Sequence, residues 1–195
     1  NELALDDLTK AIGYDTKNYK AYYERGMVYY LTDDTSAALS DCQKSVSINS
    51  EYALGHLCLG YVYDDTGDFN AAYKEYSESI ALDPSQSWAY AKRGRILYYY
   101  YDNRFQEAVD DLSQALKLRP NWDYAYYYRG MSFYFMKNYS STIQDLEQVL
   151  SLSTDTYFIN WSHAFLGDAY YEEGDFKTAI KHYNLAINNI SSADD

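Results

Sequence analysis

Apolar residues recur along the chain at helical spacing, in blocks separated by short polar turns. Tyr22, Val28 and Tyr29 share one face of a block, and Ala38, Cys42 and Val46 share one face of the next. Between blocks stand Asp33-Asp34-Thr35, Thr66-Gly67-Asp68, Asp102-Asn103, Lys137-Asn138 and Glu173-Gly174-Asp175, residue types that break helices and favour turns. Pro84 and Pro120 mark chain reversals, where a missing N–H does no harm. The pattern predicts helix pairs at 19–32 and 36–49, 53–66 and 70–82, 87–101 and 105–118, 123–136 and 140–152, and 160–173 and 176–189. A lone helix carrying Leu3, Ala4, Leu8, Ala11 and Ile12 precedes them, and no β-sheet is expected.

The blocks repeat at a nearly constant interval. Arg25-Gly26, Leu59-Gly60, Arg93-Gly94, Arg129-Gly130 and Leu166-Gly167 place their glycines 34, 34, 36 and 37 residues apart. The small residues Ala38, Ala72, Ala108, Thr142 and Ala179 follow at steps of 34, 36, 34 and 37, and Ala4 lies 34 before Ala38. Comparing the two series puts two extra residues between Gly94 and Ala108, within Leu97 to Phe105. Three more fall between Thr142 and Gly167, and the connector Thr154 to Ile159 is the expected place. The first insertion is expected to lengthen a helix or its turn, with Tyr100 and Tyr101 protruding. A glycine inside a helix costs about 1 kcal/mol relative to alanine. Its recurrence in one column predicts close approach of the paired helix, with the Ala or Thr facing it.

A period of 34 with this signature resembles the tetratricopeptide repeat. One repeat reads His56, Leu59-Gly60, Tyr63, Ala72, Tyr76, Pro84; another reads Tyr126, Arg129-Gly130, Phe133, Thr142, Leu146, with Thr154 where the family has proline. The resemblance implies an all-α fold, a right-handed superhelical solenoid of helical hairpins with eleven helices and a concave face lined by first helices. It implies a single domain over 1–195: a partial repeat of second helix only at 1–18, then repeats at 19–52, 53–86, 87–122, 123–159 and 160–195. Each hairpin alone leaves an apolar face open, so stacked neighbours supply the core.

Composition narrows the function. Sixteen Lys and Arg against 29 Asp and Glu give a formal charge of −13. Such a surface repels phosphate backbones and anionic lipid, which excludes nucleic acid and membrane as main ligands and favours neutral or basic protein partners. Twenty-six tyrosines supply much of the apolar area. Cys42 and Cys58 are too few for a disulfide framework and are expected as free, buried thiols. No apolar run is long enough to span a bilayer and no signal peptide is visible. The chain lacks an initiator Met and opens inside an amphipathic segment, as a fragment would, and cytoplasmic placement is expected. Asn138-Tyr139-Ser140, Asn160-Trp161-Ser162 and Asn189-Ile190-Ser191 fit the glycosylation pattern at a frequency that chance explains.

No catalytic constellation is legible. There is no HExxH, CxxC, P-loop or dinucleotide fingerprint, and the carboxylates are scattered. His56 and His163 share a column with Tyr22, Tyr90 and Tyr126, so they read as packing residues; neither a metal nor a cofactor is expected. Arg25, Arg93 and Arg129 precede their glycines in the repeats whose second helices carry Asp41, Asp111 and Asp145, at offsets of 16, 18 and 16. The repeats with Leu59 and Leu166 carry Glu75 and His182 instead. This covariation predicts structural ion pairs Arg25–Asp41, Arg93–Asp111 and Arg129–Asp145, with pairing between repeats through Asp7 or Asp111 as the rival.

The family's ligand usually lies along the first helices, and the resemblance carries that groove onto five columns. They hold Lys20, Tyr23, Met27, Tyr30 and Leu31; Leu54, Leu57, Tyr61, Asp64 and Asp65; Trp88, Ala91, Arg95, Tyr98 and Tyr99; Tyr124, Tyr127, Met131, Tyr134 and Phe135; and Trp161, Ala164, Asp168, Tyr171 and Glu172. Members that hold chaperone tails clamp a carboxylate with Lys, Asn and Arg. Here those columns carry Tyr23, Met27, Cys58, Trp88 and Lys92, so that function is not expected. A non-enzymatic scaffold binding a peptide or partner helix in an aromatic groove is the leading reading. Self-association through the terminal helices and a regulatory arm of a larger enzyme are the alternatives. Stacking of single-stranded RNA on tyrosines is disfavoured by the charge.

Overall fold

A computed structural model describes residues 2–101 and 103–191, with side chains described through 188. Asp102 of a predicted turn and Asn189, Ile190 and Ser191 of the third glycosylation pattern lie outside the described residues or side chains. Eleven helices and no strand are found among the described residues: α1 Glu2–Tyr14, α2 Tyr19–Tyr30, α3 Thr35–Ile48, α4 Ala53–Asp65, α5 Phe69–Leu82, α6 Ser87–Tyr100, α7 Phe105–Leu118, α8 Asp123–Phe135, α9 Tyr139–Leu152, α10 Thr156–Glu172 and α11 Phe176–Ser191. They fall into two compact units, residues 1–89 and 90–195, with the boundary inside α6.

In the first unit α2 pairs with α3 and α4 with α5, while α1 packs on α2 and α3 on α4. Its core gathers Ala38, Cys42, Cys58, Leu59 and Val62, with Tyr23, Met27 and Tyr29 packed against it. In the second unit α8 pairs with α9 and α10 with α11; α7 packs on α8 and α9 on α10. Ile96, Leu97, Leu112, Leu146, Val149 and Leu166 are fully buried there.

Turn chemistry explains the ends of the helices. Asp34, Asp68 and Asn138 accept from the backbone N–H three residues on, capping α3, α5 and α9. One residue before each second-helix cap the backbone is left-handed, at Asp33, Gly67, Asn103, Lys137 and Gly174. Only two of these five are glycine. Asp and Asn tolerate the conformation, and Lys137 adopts it without that help.

Three features depart from the sequence reading. The three-residue insertion is not a connector: it adds a helical turn, and α10 starts at Thr156 because Asp155 accepts from the Tyr157 N–H at 2.8 Å. Cys42 and Cys58 are buried as expected but joined as a disulfide between α3 and α4, with Cα atoms 5.8 Å apart. The repeat glycines face the residue one turn beyond the small one, namely Cys42, Tyr76, Leu112, Leu146 and Tyr183. A Cβ on Gly60 would lie 2.4 Å from the Tyr76 ring, and one on Gly167 2.5 Å from Tyr183. At the insertion in the third repeat, α6 runs on to Tyr100, which is half-exposed, while the Arg104 guanidinium lies 5.0 Å from the Tyr101 ring centre.

Candidate functional site

Polar pairs tie the two helices of each hairpin together. Arg25 donates from Nε to Asp41 at 2.7 Å and from Nη2 at 3.0 Å; Arg93–Asp111 and Arg129–Asp145 make the same fork at 2.7 Å for both bonds. The remaining Nη1 of Arg25 reaches Thr9, at 3.0 Å, and that of Arg129 reaches Ser113, at 3.1 Å. The neighbouring repeat thus contributes a hydroxyl rather than the rival carboxylate. Burial lowers the basicity of Arg129, and its bonds to Asp145 more than reverse this; burial also pushes the Asp111 and Asp145 carboxyls up against the pull of their arginines.

The hairpins with leucine before the glycine use other partners. His56 Nδ1 meets Glu75 at 2.7 Å and its Nε2 meets the Ser50 carbonyl at 3.1 Å. The bond to Glu75 outweighs burial and raises the His56 pKa. The Tyr76 hydroxyl donates to buried Asp64 at 3.4 Å, and the Tyr183 hydroxyl to Asp168 at 2.7 Å.

On the first-helix faces of the first unit, rings gather between repeats. Tyr23 and Tyr19 meet Tyr52 edge-on at 5.5 and 4.9 Å, Tyr30 stacks on Tyr61 at 5.6 Å, and Tyr61 meets Trp88 at 6.5 Å. Burial pushes the Tyr52 phenol up to about 12 and raises Tyr61 as well, so both stay neutral donors. Lys20 is exposed at the start of α2, Met27 and Leu54 are half-buried, and Asp65 is exposed at the end of α4.

The second unit carries a larger aromatic wall. Tyr98 meets Tyr99 at 4.7 Å, Tyr99 meets Tyr128 at 5.8 Å, and Tyr128 meets Tyr127 at 5.1 Å. Contacts continue from Tyr127 to Tyr157 at 6.2 Å, to Trp161 at 6.3 Å, to Phe165 at 6.0 Å and to Tyr134 at 5.0 Å. From Tyr134 the run returns through Phe135, 5.5 Å away, to Tyr98, 5.8 Å further on. Tyr124 joins through Tyr128 at 4.7 Å, with the Lys92 ammonium 5.6 Å from its ring centre. Arg95 lies close enough to Tyr99 and Tyr128 to pull both phenols down, yet burial dominates and raises them, as it raises Tyr98 and Tyr127. The rims are open: Tyr99 is 44% exposed, Tyr157 48% and Trp161 47%. A cleft of about 260 Å³ borders this wall, lined by Thr156, Tyr157, Asn160, Trp161, Ala164 and Ala186.

Not every residue carried over as groove-lining is presented to solvent. Leu57, Asp64, Tyr127 and Met131 are buried and support the surface from behind. Asp168 is tied to Tyr183 and, at 3.4 Å, to Tyr134. Tyr171 is exposed. The reading missed Tyr157 and Phe158, because the turn that holds them was taken for a connector. Phe158 covers Tyr127 at 4.8 Å. Their signal was present as the aromatic spacing Tyr157, Trp161, Phe165, four residues apart on a helix.

Family models described as the tetratricopeptide repeat match residues 19–52, 57–86 and 162–190, and a second such model matches 124–154. Among solved structures, the chain is similar to YrrB, described as a TPR protein with an unusual peptide-binding site, with TM-score 0.81 and 16% identity over 93% of this chain and 91% of that one. It is similar to the MamA protein, with TM-score 0.74 and 23% identity over 88% and 91%. It is also similar to pilF of Pseudomonas aeruginosa, with TM-score 0.70 and 23% identity over 91% and 78%. No curated protein matches it. Among the described residues no helix is long and apolar enough to cross a membrane.

Proposed function

Because the chain belongs to the tetratricopeptide-repeat family, we propose that it is a non-enzymatic protein-interaction scaffold, taking a peptide or partner helix against its aromatic first-helix faces. The observation that carries this is the closed run of rings in the second unit, held by packing below and open at Tyr99, Tyr157 and Trp161. Preordered aromatic rings bury much area with little loss of side-chain entropy, as binding hot spots do. Neutral phenols add donors for a partner's backbone. Exposed Asp65 and Glu172, with the overall charge of −13, favour a neutral or basic partner. The peptide-binding description of YrrB belongs to that protein; the shared fold extends it to this chain as part of the proposal.

Selection from a random peptide display library tests the reading. Basic, aromatic-rich or amphipathic sequences are the expected enrichment, and Tyr99→Ala and Trp161→Ala should each weaken a selected peptide by about tenfold or more. Enrichment of peptides whose binding ignores both substitutions would overturn the site. A second reading, self-association, is favoured by exposed Leu3 on α1 and Ile180 and Ile187 on α11, and sedimentation tests it.

A further inference from the structure

The hairpin of α10 and α11 breaks the rule of charge that holds the others. His163 occupies the column of His56, and His182 the column of Glu75, Asp41, Asp111 and Asp145. Where the second repeat places an imidazole against a carboxylate, this one places two tilted imidazoles together, Nδ1 to Nδ1 at 3.0 Å with ring centres 5.2 Å apart. Two bases cannot satisfy each other fully: a single proton lies between the nitrogens, one donating and the other accepting.

A divalent cation is the chemical alternative to that proton. Metal–imidazole bonds of about 2.0–2.1 Å that meet near a right angle place their nitrogens about 3 Å apart, the separation already present here. We infer that His163 and His182 form a two-imidazole chelate for a divalent late transition metal of the copper, nickel or zinc class. Imidazole suits these ions, whereas calcium and magnesium prefer oxygen. The two side chains come from different helices of one packed hairpin, which holds the two nitrogens at this separation. Burial lowers the pKa of both rings; repulsion from the other imidazole and then Lys181 adds to this at His163, and repulsion from Lys181 at His182.

The surroundings fit such a site. Glu147 of α9 draws His182 the other way electrostatically, and its carboxylate accepts from the Tyr170 hydroxyl at 2.8 Å. The Tyr170 ring stacks on His182 with centres 5.5 Å apart and holds its orientation. No third His, Cys, Asp or Glu completes a metal-binding group among the described residues, so water fills the remaining positions and the ion exchanges freely. On binding, the ring proton between the histidines moves to Nε2 of its own imidazole, and no proton is released to solvent. His56 is no rival, since Glu75 and the Ser50 carbonyl engage both its nitrogens.

The test is calorimetric titration of the tag-free chain with nickel or copper chloride at pH 7.5. One site per chain is expected, with a heat independent of the buffer's ionisation enthalpy. His163→Gln and His182→Gln should each weaken it by more than about tenfold, and His56→Gln should leave it unchanged. Absence of saturable binding, or equal binding in both Gln variants, would overturn the proposal. Should either variant lose its helical circular dichroism, imidazole proton spectra of the native chain decide instead. Copper must broaden His163 and His182 selectively, and broadening confined to His56 or to carboxylate-flanked residues overturns the site.

Discussion

Tyr76 is fully buried, and its ring lies flat in a notch that only a missing Cβ leaves open on α4. Gly60→Ala puts a carbon 2.4 Å from that ring and should lower stability by about 1–3 kcal/mol, read as a fall in the urea midpoint at constant slope. Gly13→Ala, with nothing near its Cβ, is the control and should be neutral or slightly stabilising. The glycine column was legible as a periodicity, but its partner was not. The small residue lets the backbones approach, as where the Thr142 hydroxyl reaches the Gly130 carbonyl at 3.3 Å. The side chain that fills the notch stands one turn further on, and that depends on how the helices cross. The cysteines illustrate the same limit. A count of two says nothing of a pairing, whereas a separation of 16 residues places Cys42 and Cys58 on facing helices of adjoining repeats. A Cys42→Ala/Cys58→Ala variant should lose up to about 3 kcal/mol relative to the oxidised chain. The oxidised native chain should take up no iodoacetamide under denaturing conditions; uptake of two equivalents would show that the thiols are free.

At the scale of a hairpin, the cross-helix pairs decide stability and its pH dependence. Asp145 is only 2% exposed, so Arg129→Leu strands a buried carboxylate and should cost about 3–5 kcal/mol, whereas Arg129→Leu/Asp145→Leu should recover most of it. The histidine pairs should respond to pH in opposite senses. The folded pKa of His56 is raised by Glu75, so its contribution is complete below pH 6.5 and fades as pH rises through the folded value. The folded pKa values of His163 and His182 are lowered by burial, so their contribution is complete above pH 6.5 and fades as pH falls. Hydrogen exchange should show α10–α11 opening more readily at pH 5 than at pH 7, with α4–α5 protected at the lower pH. The same direction of change in both hairpins would refute the assignment. The Arg–Asp forks were legible because Arg and Asp covary between repeats. The two-histidine pair was not, because His163 was compared along its column and not across its hairpin. The start of α10 was missed for a local reason: Asp155 caps a turn that lies outside the repeat's period.

For the molecule as a whole, charge and apolar surface oppose each other. Leu3 on α1 is 83% exposed, and Ile180 and Ile187 on α11 are each 61% exposed. Within the array a second helix is covered on one side by the first helix of its own hairpin, as α3 is by α2, and on the other by the next first helix, as α9 is by α10. A net charge of −13 keeps copies apart, and salt screens that repulsion within about 10 Å at 0.1 M. If copies associate through α1 and α11, their weight-average mass in sedimentation equilibrium should rise with protein concentration, and rise further as salt goes from 0.05 to about 0.5 M. Ile180→Lys/Ile187→Lys should return the chain to monomer without changing its helical circular dichroism. Binding of a basic peptide to the aromatic wall should weaken over the same salt range, because screening then removes an attraction. The two readings therefore carry opposite salt signs in one protein. A chain that stays monomeric at every salt concentration would eliminate self-association, and peptide affinity that increases with salt would place the contact on apolar area alone and remove the preference for basic partners.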